Sequence, residues 1–266
     1  MSIPYAIARA VKPMIPTQAY RALHMYVARR NANRWLASRG VFPLARRVAE
    51  HFHYTVQAGP FKGMQYTQAA VHSRHATPSL LGVYERQLYP FLMEAASRSD
   101  LVVDIGSAEG YYAVGMAMLG HEVVTFDVDA HERKVCKEMA EVNRVQKRVS
   151  VRSWCDPASL PSLVKNRRAL VFSDIDGGEL DLFTPEVITA TRHCDLIIEL
   201  HGANSEENAS FAARFGTDAL VLDNPPFDRS AAERIKFLGE DAPRMAAEYR
   251  SFQQWLVRPR LPRAVA

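Results

Sequence analysis

The chain has 266 residues, 48% of them apolar, enough for one domain of about 200 residues with a sizeable core plus an extension. Three cysteines, Cys136, Cys155 and Cys194, are too few and too scattered for a disulfide scaffold or a zinc cluster. No run of roughly eighteen apolar residues reads as a transmembrane span, and no secretory signal follows Arg9 and Lys12, so a cytoplasmic protein with reduced thiols is expected.

The net charge of +4 is unevenly placed. Residues 1–50 hold nine Lys or Arg against one acid, Glu50, a balance of +8 that leaves −4 for the rest. This basic segment reads as a helical extension. A short helix is expected over residues 5–11, a second from Thr17 to about Ser38 closed by Gly40, and a third after Pro43 to about Glu50. Ala19, Leu23, Tyr26, Val27 and Trp35 form the apolar stripe of the second. A helical cap on the main domain, a surface for a substrate or partner, and membrane-surface attachment are the alternatives. Nucleic acid is not expected, because no basic strand interleaved with aromatics appears.

Residues 51–79 read as a hairpin and a substrate-side loop. Phe52, Tyr54 and Val56 alternate, Gly59-Pro60 turns, and residues 63–67 pair back. His72 and His75 raise the question of a metal, yet no third ligand has a convincing spacing, so none is assigned. Tyr84-Glu85 opens a helix to about Ala96.

Residues 101–129 are the most informative. The apolar run Leu101-Val102-Val103 ends in Asp104, and Gly106-Ser107-Ala108-Glu109-Gly110 makes a turn. A helix follows to about Leu119, and a second apolar run ends in Asp127. Strand, turn, helix, strand, acid opens a doubly wound α/β unit, with the acid placed to bond ribose hydroxyls. The turn lacks the middle glycine of a dinucleotide fingerprint, and Glu109 stands where a pyrophosphate would approach. It suits a nucleoside carrying a positive or zwitterionic group, against the alternatives of a dinucleotide or a turn that binds nothing.

A helix is expected over residues 130–145, strands over 149–152, 169–173, 196–199 and 219–222, and a last strand over 252–257. A short helix falls within residues 157–168, another over 204–215, and broken helical stretches over 231–249. The tail from Arg258 reads as fraying. Asp104, Asp127, Asp156, Asp174, Glu199 and His201 all fall at or just past strand ends, where ligands bind in open α/β sheets.

Asp104, Gly106, Gly110, Tyr111 and Tyr112 resemble the first motif of class I S-adenosylmethionine-dependent methyltransferases, more narrowly the FkbM-type family. Asp174-Ile175-Asp176-Gly177-Gly178-Glu179 is similar to that family's Asp-Val-Glu-Gly-x-Glu signature, with aspartate for its first glutamate. Ile197-Ile198-Glu199-Leu200-His201-Gly202 is similar to its next strand end. The likeness covers residues 80–202. It implies a Rossmann-like seven-stranded, mostly parallel sheet whose last strand is antiparallel, over residues 80–258. It also implies S-adenosylmethionine as cofactor, held by Tyr84, Glu85, Asp104, Gly106, Ser107, Glu109, Gly110, Tyr111, Asp127, Asp156 and Asp174. Trp154 would cover the adenine or pack in the core.

Methyl transfer to a hydroxyl needs a base, for which His201 and Asp174 are the candidates, with Glu199 or Asp176 orienting. Asp176 and Glu179 could instead favour the start of the next helix. O-methylation of a sugar, glycolipid or secondary metabolite is the leading expectation. N-methylation of a small amine or peptide and a non-catalytic cofactor-binding module are the alternatives. The acceptor is expected to be a small molecule, anionic or lipid-linked if the basic segment meets it, and a homodimer is open.

Overall fold

A computed structural model describes residues 17–73, 75–202, 204–225, 228–247 and 253–260. The helix expected over residues 5–11 lies outside them, as do Phe252 and residues 261–266. Two helices open the described chain, α1 (Thr17–Ser38) and α2 (Val41–His51), joined through Gly40 in the left-handed region at φ 64°. Residues 54–66 then fold back through a single bridge, Thr55 to Gln65, flanked by Val56 N–H to Met64 O at 2.9 Å and Tyr66 N–H to Tyr54 O at 2.7 Å.

After α3 (Ala76–Leu81) the helix expected from Tyr84 to about Ala96 starts later than expected. Glu85 takes φ 51°, a 3-10 turn covers Arg86–Leu88, and α4 (Tyr89–Ser97) begins later. The reason is burial. Glu85 is fully enclosed, accepting Tyr112 Oη–H at 2.6 Å and Gln253 Nε2–H at 3.0 Å.

The sheet follows: β1 (Leu101–Ile105), α5 (Tyr111–Met118), β2 (Glu122–Phe126), α6 (Ala130–Val142), β3 (Val149–Arg152), α7 (Ser159–Val164) and β4 (Ala169–Ser173). Then come α8 (Glu179–Leu182), α9 (Pro185–Ala190), β5 (Asp195–Leu200), α10 (Ser205–Ala213), β6 (Leu220–Asp223), α11 (Arg229–Glu233), α12 (Ala242–Ala246) and β7 (Gln254–Arg258). The strand order is β3-β2-β1-β4-β5-β7-β6. Strands β1 to β5 run parallel to one another, and β7 runs antiparallel between β5 and β6. This is the Rossmann-like class I methyltransferase fold.

β1, β4, β5 and β7 are buried along their whole length, as strands covered on both faces must be. Period-two alternation splits their side chains between two cores. Val102, Phe172, Ile197 and Trp255 face one, and Val103, Val171, Leu196 and Leu256 the other. The first core also takes Leu36, Val41, Ala45 and Val48, so the second and third helices of the basic segment share a core with the sheet.

Two expectations fail here. Trp35 is 44% exposed, with the Arg39 guanidinium over its ring at 4.4 Å, and is no part of a buried stripe. Arg258 ends β7 instead of beginning a frayed tail. It is 1% exposed and donates from Nη2 to Thr191 O at 2.6 Å. Burial pulls its pKa down to about 10.

Candidate active site

The order of the sheet reverses between β1 and β4, and a cavity of about 1230 Å³ lies beyond the strand ends there. Ile105, Phe126 and Phe172 supply apolar wall, and Gly106, Ser107, Ala108, Glu109 and Tyr111 supply the turn and the start of α5. Asp127, Asp156, Trp154 and Asp174 reach it from the ends of β2, β3 and β4, and Tyr84 from the connection before α4.

The turn is held by its surroundings. A Cβ on Gly106, at φ 98°, would stand 1.7 Å from Asp174 O, and one on Gly110, at φ 97°, would stand 2.9 Å from Cys136 Sγ. Both glycines are therefore demanded by protein backbone and helix packing, before any ligand is considered. Between them Ala108 sits at φ 43°, strained for a residue with a side chain. Its N–H donates to Asp127 Oδ2 at 3.0 Å, while Asp129 N–H donates to Asp127 Oδ1 at 2.7 Å. A carboxylate offers about four acceptor sites, so two are left for a diol.

Burial pushes the Asp127 carboxyl up to about 7. Glu109, 4% exposed and on the cavity wall, is pushed by burial to about 7 as well. Asp156 is different. Its Oδ1 takes Ser159 N–H at 2.7 Å and Ala158 N–H at 2.9 Å, and these hydrogen bonds, the Ser159 amide foremost, hold it below the usual carboxylate range.

Three of the expected cofactor residues do not reach the cavity wall. Glu85 is turned to Tyr112 and Gln253. Asp104 is 1% exposed, accepts Thr125 Oγ1–H at 2.8 Å and is pushed by burial to about 7. Gly110 lies under Cys136. Asp104 ties β1 to β2, Glu85 ties the α4 connection to the start of β7, and Gly110 lets α5 and α6 meet.

The expected catalytic residues gather at the ends of β4 and β5. The register pairs Ser173 with Ile198, which sets Asp174 beside Glu199. His201 Nδ1 lies 3.0 Å from Glu179 Oε1, whose carboxylate also accepts Ile175 N–H at 3.1 Å. His201 Nε2 lies 3.5 Å from Glu199 Oε2, 3.6 Å from Asp176 Oδ1 and 3.7 Å from Asp174 Oδ1. Asp174 and Asp176 line the cavity, while His201 and Glu199 stand behind them. Burial alone would lower the imidazole pKa, but the Asp176, Glu179 and Glu199 carboxylates push it up to about 11. These carboxylates favour the protonated form of His201. Asp176 holds φ 49°, a second strained position at the rim.

The N-terminal side adds residues that the sequence did not single out, together with the loop expected on the substrate side. Asn31, Asn33 and Leu36 of α1 line the cavity, as do His72, Ser73 and His75. His72 packs on Phe42 at 5.4 Å and His75 on Tyr84 at 4.7 Å between ring centroids.

No family model matches this chain. Over 114 residues it is 29% identical to the ribosomal protein L11 methyltransferase of Desulfitobacterium hafniense, a match covering 42% of this chain and 33% of that protein. The chain thus spans about a third of the curated relative it matches. Similar solved structures include a putative O-methyltransferase from Klebsiella pneumoniae, with TM-score 0.47 and 17% identity over 82% of this chain and 90% of that one. Another is the O-methyltransferase TomG from Streptomyces achromogenes, with TM-score 0.46 and 14% identity over 74% and 92%. The fold assignment rests on the strand order of this chain. The narrower resemblance to the FkbM-type family is corrected: no family model, that of the FkbM type included, matches this chain.

Proposed function

We propose that the chain is an S-adenosylmethionine-dependent methyltransferase that methylates a hydroxyl of a small-molecule acceptor. The observation that carries this reading is Asp127, at the end of β2 and bonded to the Ala108 amide of the glycine turn, on the wall of a cavity at the switch in strand order. Two remaining acceptor sites on one carboxylate suit a ribose diol. Glu109 adds a negative group for the positive end of the cofactor, and Asp156 with Trp154 borders the place for the adenine.

When bound, the cofactor supplies an electrophilic methyl: the acceptor oxygen bonds the methyl carbon as the carbon–sulfur bond breaks and its electron pair stays on sulfur. The chain orients the two partners and excludes water. A hydroxyl must also lose its proton. Asp174, on the cavity wall, is assigned as the acceptor of that proton, with His201 and Glu199 positioning it. This carboxylate-rich rim favours a hydroxyl over an amine, which needs less help. Asn31 and Asn33 put polar groups of α1 on the cavity wall, which supports a contact between the basic segment and the acceptor.

Calorimetry with S-adenosylmethionine, its demethylated product and NAD tests the reading. Micromolar binding of the first two and none of NAD is expected. Binding of NAD alone would overturn it.

A further inference from the structure

The corner where α1 passes into α2 carries Arg30, Arg34, Arg39, Arg46 and Arg47, all exposed. No acid precedes Glu50 in the chain. Among the described residues, Arg34, Arg46 and Arg47 make no ion pair. Trp35 is exposed on the same corner, with the Arg39 guanidinium over its ring. We propose that this corner docks the protein on an anionic phospholipid surface.

The packing fixes how the corner is presented. Val41, Ala45 and Val48 are buried in the core shared with the sheet, so α2 cannot turn Arg46 and Arg47 inward. Clusters of about four to eight basic side chains suit anionic head groups, and each strengthens binding about fivefold. An exposed indole suits the level between head groups and acyl chains, and arginine stems can lie along that boundary while their heads reach phosphate. A nucleic acid would offer phosphates too, but the cavity argues against it. Helix α1 lines that cavity through Asn31, Asn33 and Leu36, and the cavity wall holds eight carboxylates and no lysine or arginine. A strand running from the corner into the cavity would carry its phosphates into that negative field, whereas a membrane keeps them on the corner.

Delivery of a lipid-borne acceptor to the cavity rests on the methyl-transfer reading; docking does not. The test is co-sedimentation of the full chain with phosphatidylcholine vesicles, alone and with about 30% phosphatidylglycerol. Binding to the anionic vesicles alone is expected, and it should be lost at about 1 M salt. Arg46→Gln with Arg47→Gln should weaken it roughly 25-fold at unchanged circular dichroism. Arg34→Gln with Arg39→Gln provides a second variant on the other side of Gly40. Trp255 is buried and Trp154 half-buried, so a shift of tryptophan emission to shorter wavelength on docking should vanish in Trp35→Phe. Equal binding to both vesicles, binding to neither, or binding unchanged in both arginine variants overturns the proposal. So does displacement from the vesicles by single-stranded polyuridylate, or a dimer that the arginine variants dissolve without any vesicle binding. S-adenosylmethionine calorimetry on the same protein separates the two readings: cofactor binding without vesicle binding removes only the docking, and the reverse removes only the methyl-transfer assignment.

Discussion

The two halves of the cavity rim use carboxylates in opposite ways. Beyond β2 and β3, Asp127 and Asp156 are each held by backbone amides close by, two per carboxylate. Beyond β4 and β5, Asp174, Asp176, Glu179 and Glu199 converge on one imidazole. Amides anchor a carboxylate and leave oxygen lone pairs for neutral hydroxyls, which suits recognition. A ring of carboxylates around one nitrogen concentrates charge, which suits proton or cation chemistry. On the proposed function, one half of the rim holds the cofactor and the other serves the reaction.

The largest expected effect bears on the turn that joins the halves. Gly106→Ala forces a Cβ to within 1.7 Å of Asp174 O, so the turn and the β4 end cannot both stay in place. A loss exceeding about 4 kcal/mol in urea unfolding, or no soluble protein, is expected. Near-native stability would mean that the turn and β4 are not packed as described.

Next is the reactive half. Asp174→Asn should lower turnover roughly 100-fold or more at unchanged cofactor affinity, once an acceptor is in hand. Full turnover would move proton removal to another group. In the holding half, Asp127→Ala should weaken S-adenosylmethionine binding by about 3 kcal/mol, roughly 100-fold, through two lost charge-assisted hydrogen bonds. Unchanged affinity by calorimetry would end its ribose role.

A smaller effect follows pH. Asp127 and Glu109 both titrate near 7 in the free protein. Their ionised forms, present above that pH, are the ones that accept a diol or face a positive ligand. Cofactor affinity should therefore fall roughly tenfold between pH 8 and pH 6 for each carboxylate that binds only when ionised. Asp127→Asn should remove its share, and an affinity flat across that window would contradict both assignments. Stability of the free protein has the opposite sign. These raised carboxyls take up protons more readily folded than unfolded, so their contribution is full below about pH 4 and is lost as pH rises through about 7.

The smallest effect is local. Asp156→Ala removes the acceptor of two amides ahead of α7 and should cost about 1 kcal/mol, read as a lower melting temperature. A loss of adenine selectivity without that cost would instead assign Asp156 wholly to the ligand.

What could be read in the amino acids was what short-range physics determines. Apolar runs meeting an acid located β1, β2, β4 and β5, because strands covered on both faces are nearly continuous apolar segments. Thr17–Ser38 was found from its bounding signals, and the turn from its glycines. Asp127 followed from its place after the second strand. The antiparallel β7 and the cofactor came from resemblance and not from periodicity. Resemblance also suggested too narrow a family.

Tertiary structure alone decided the rest. Glu85 broke its expected helix because Tyr112 and Gln253, distant in sequence, enclose it. Arg258 looked like a solvated tail residue until β7 paired with β5 and brought it to the carbonyls of Thr191 and Cys194 ahead of β5. Asn31, Asn33 and Leu36 became cavity wall only when α1 folded over the sheet. Asp174, Glu199 and His201 were each visible as strand-end residues. Their convergence on one nitrogen depends on the β4–β5 register, and a register is settled by which side chains pack across the whole sheet.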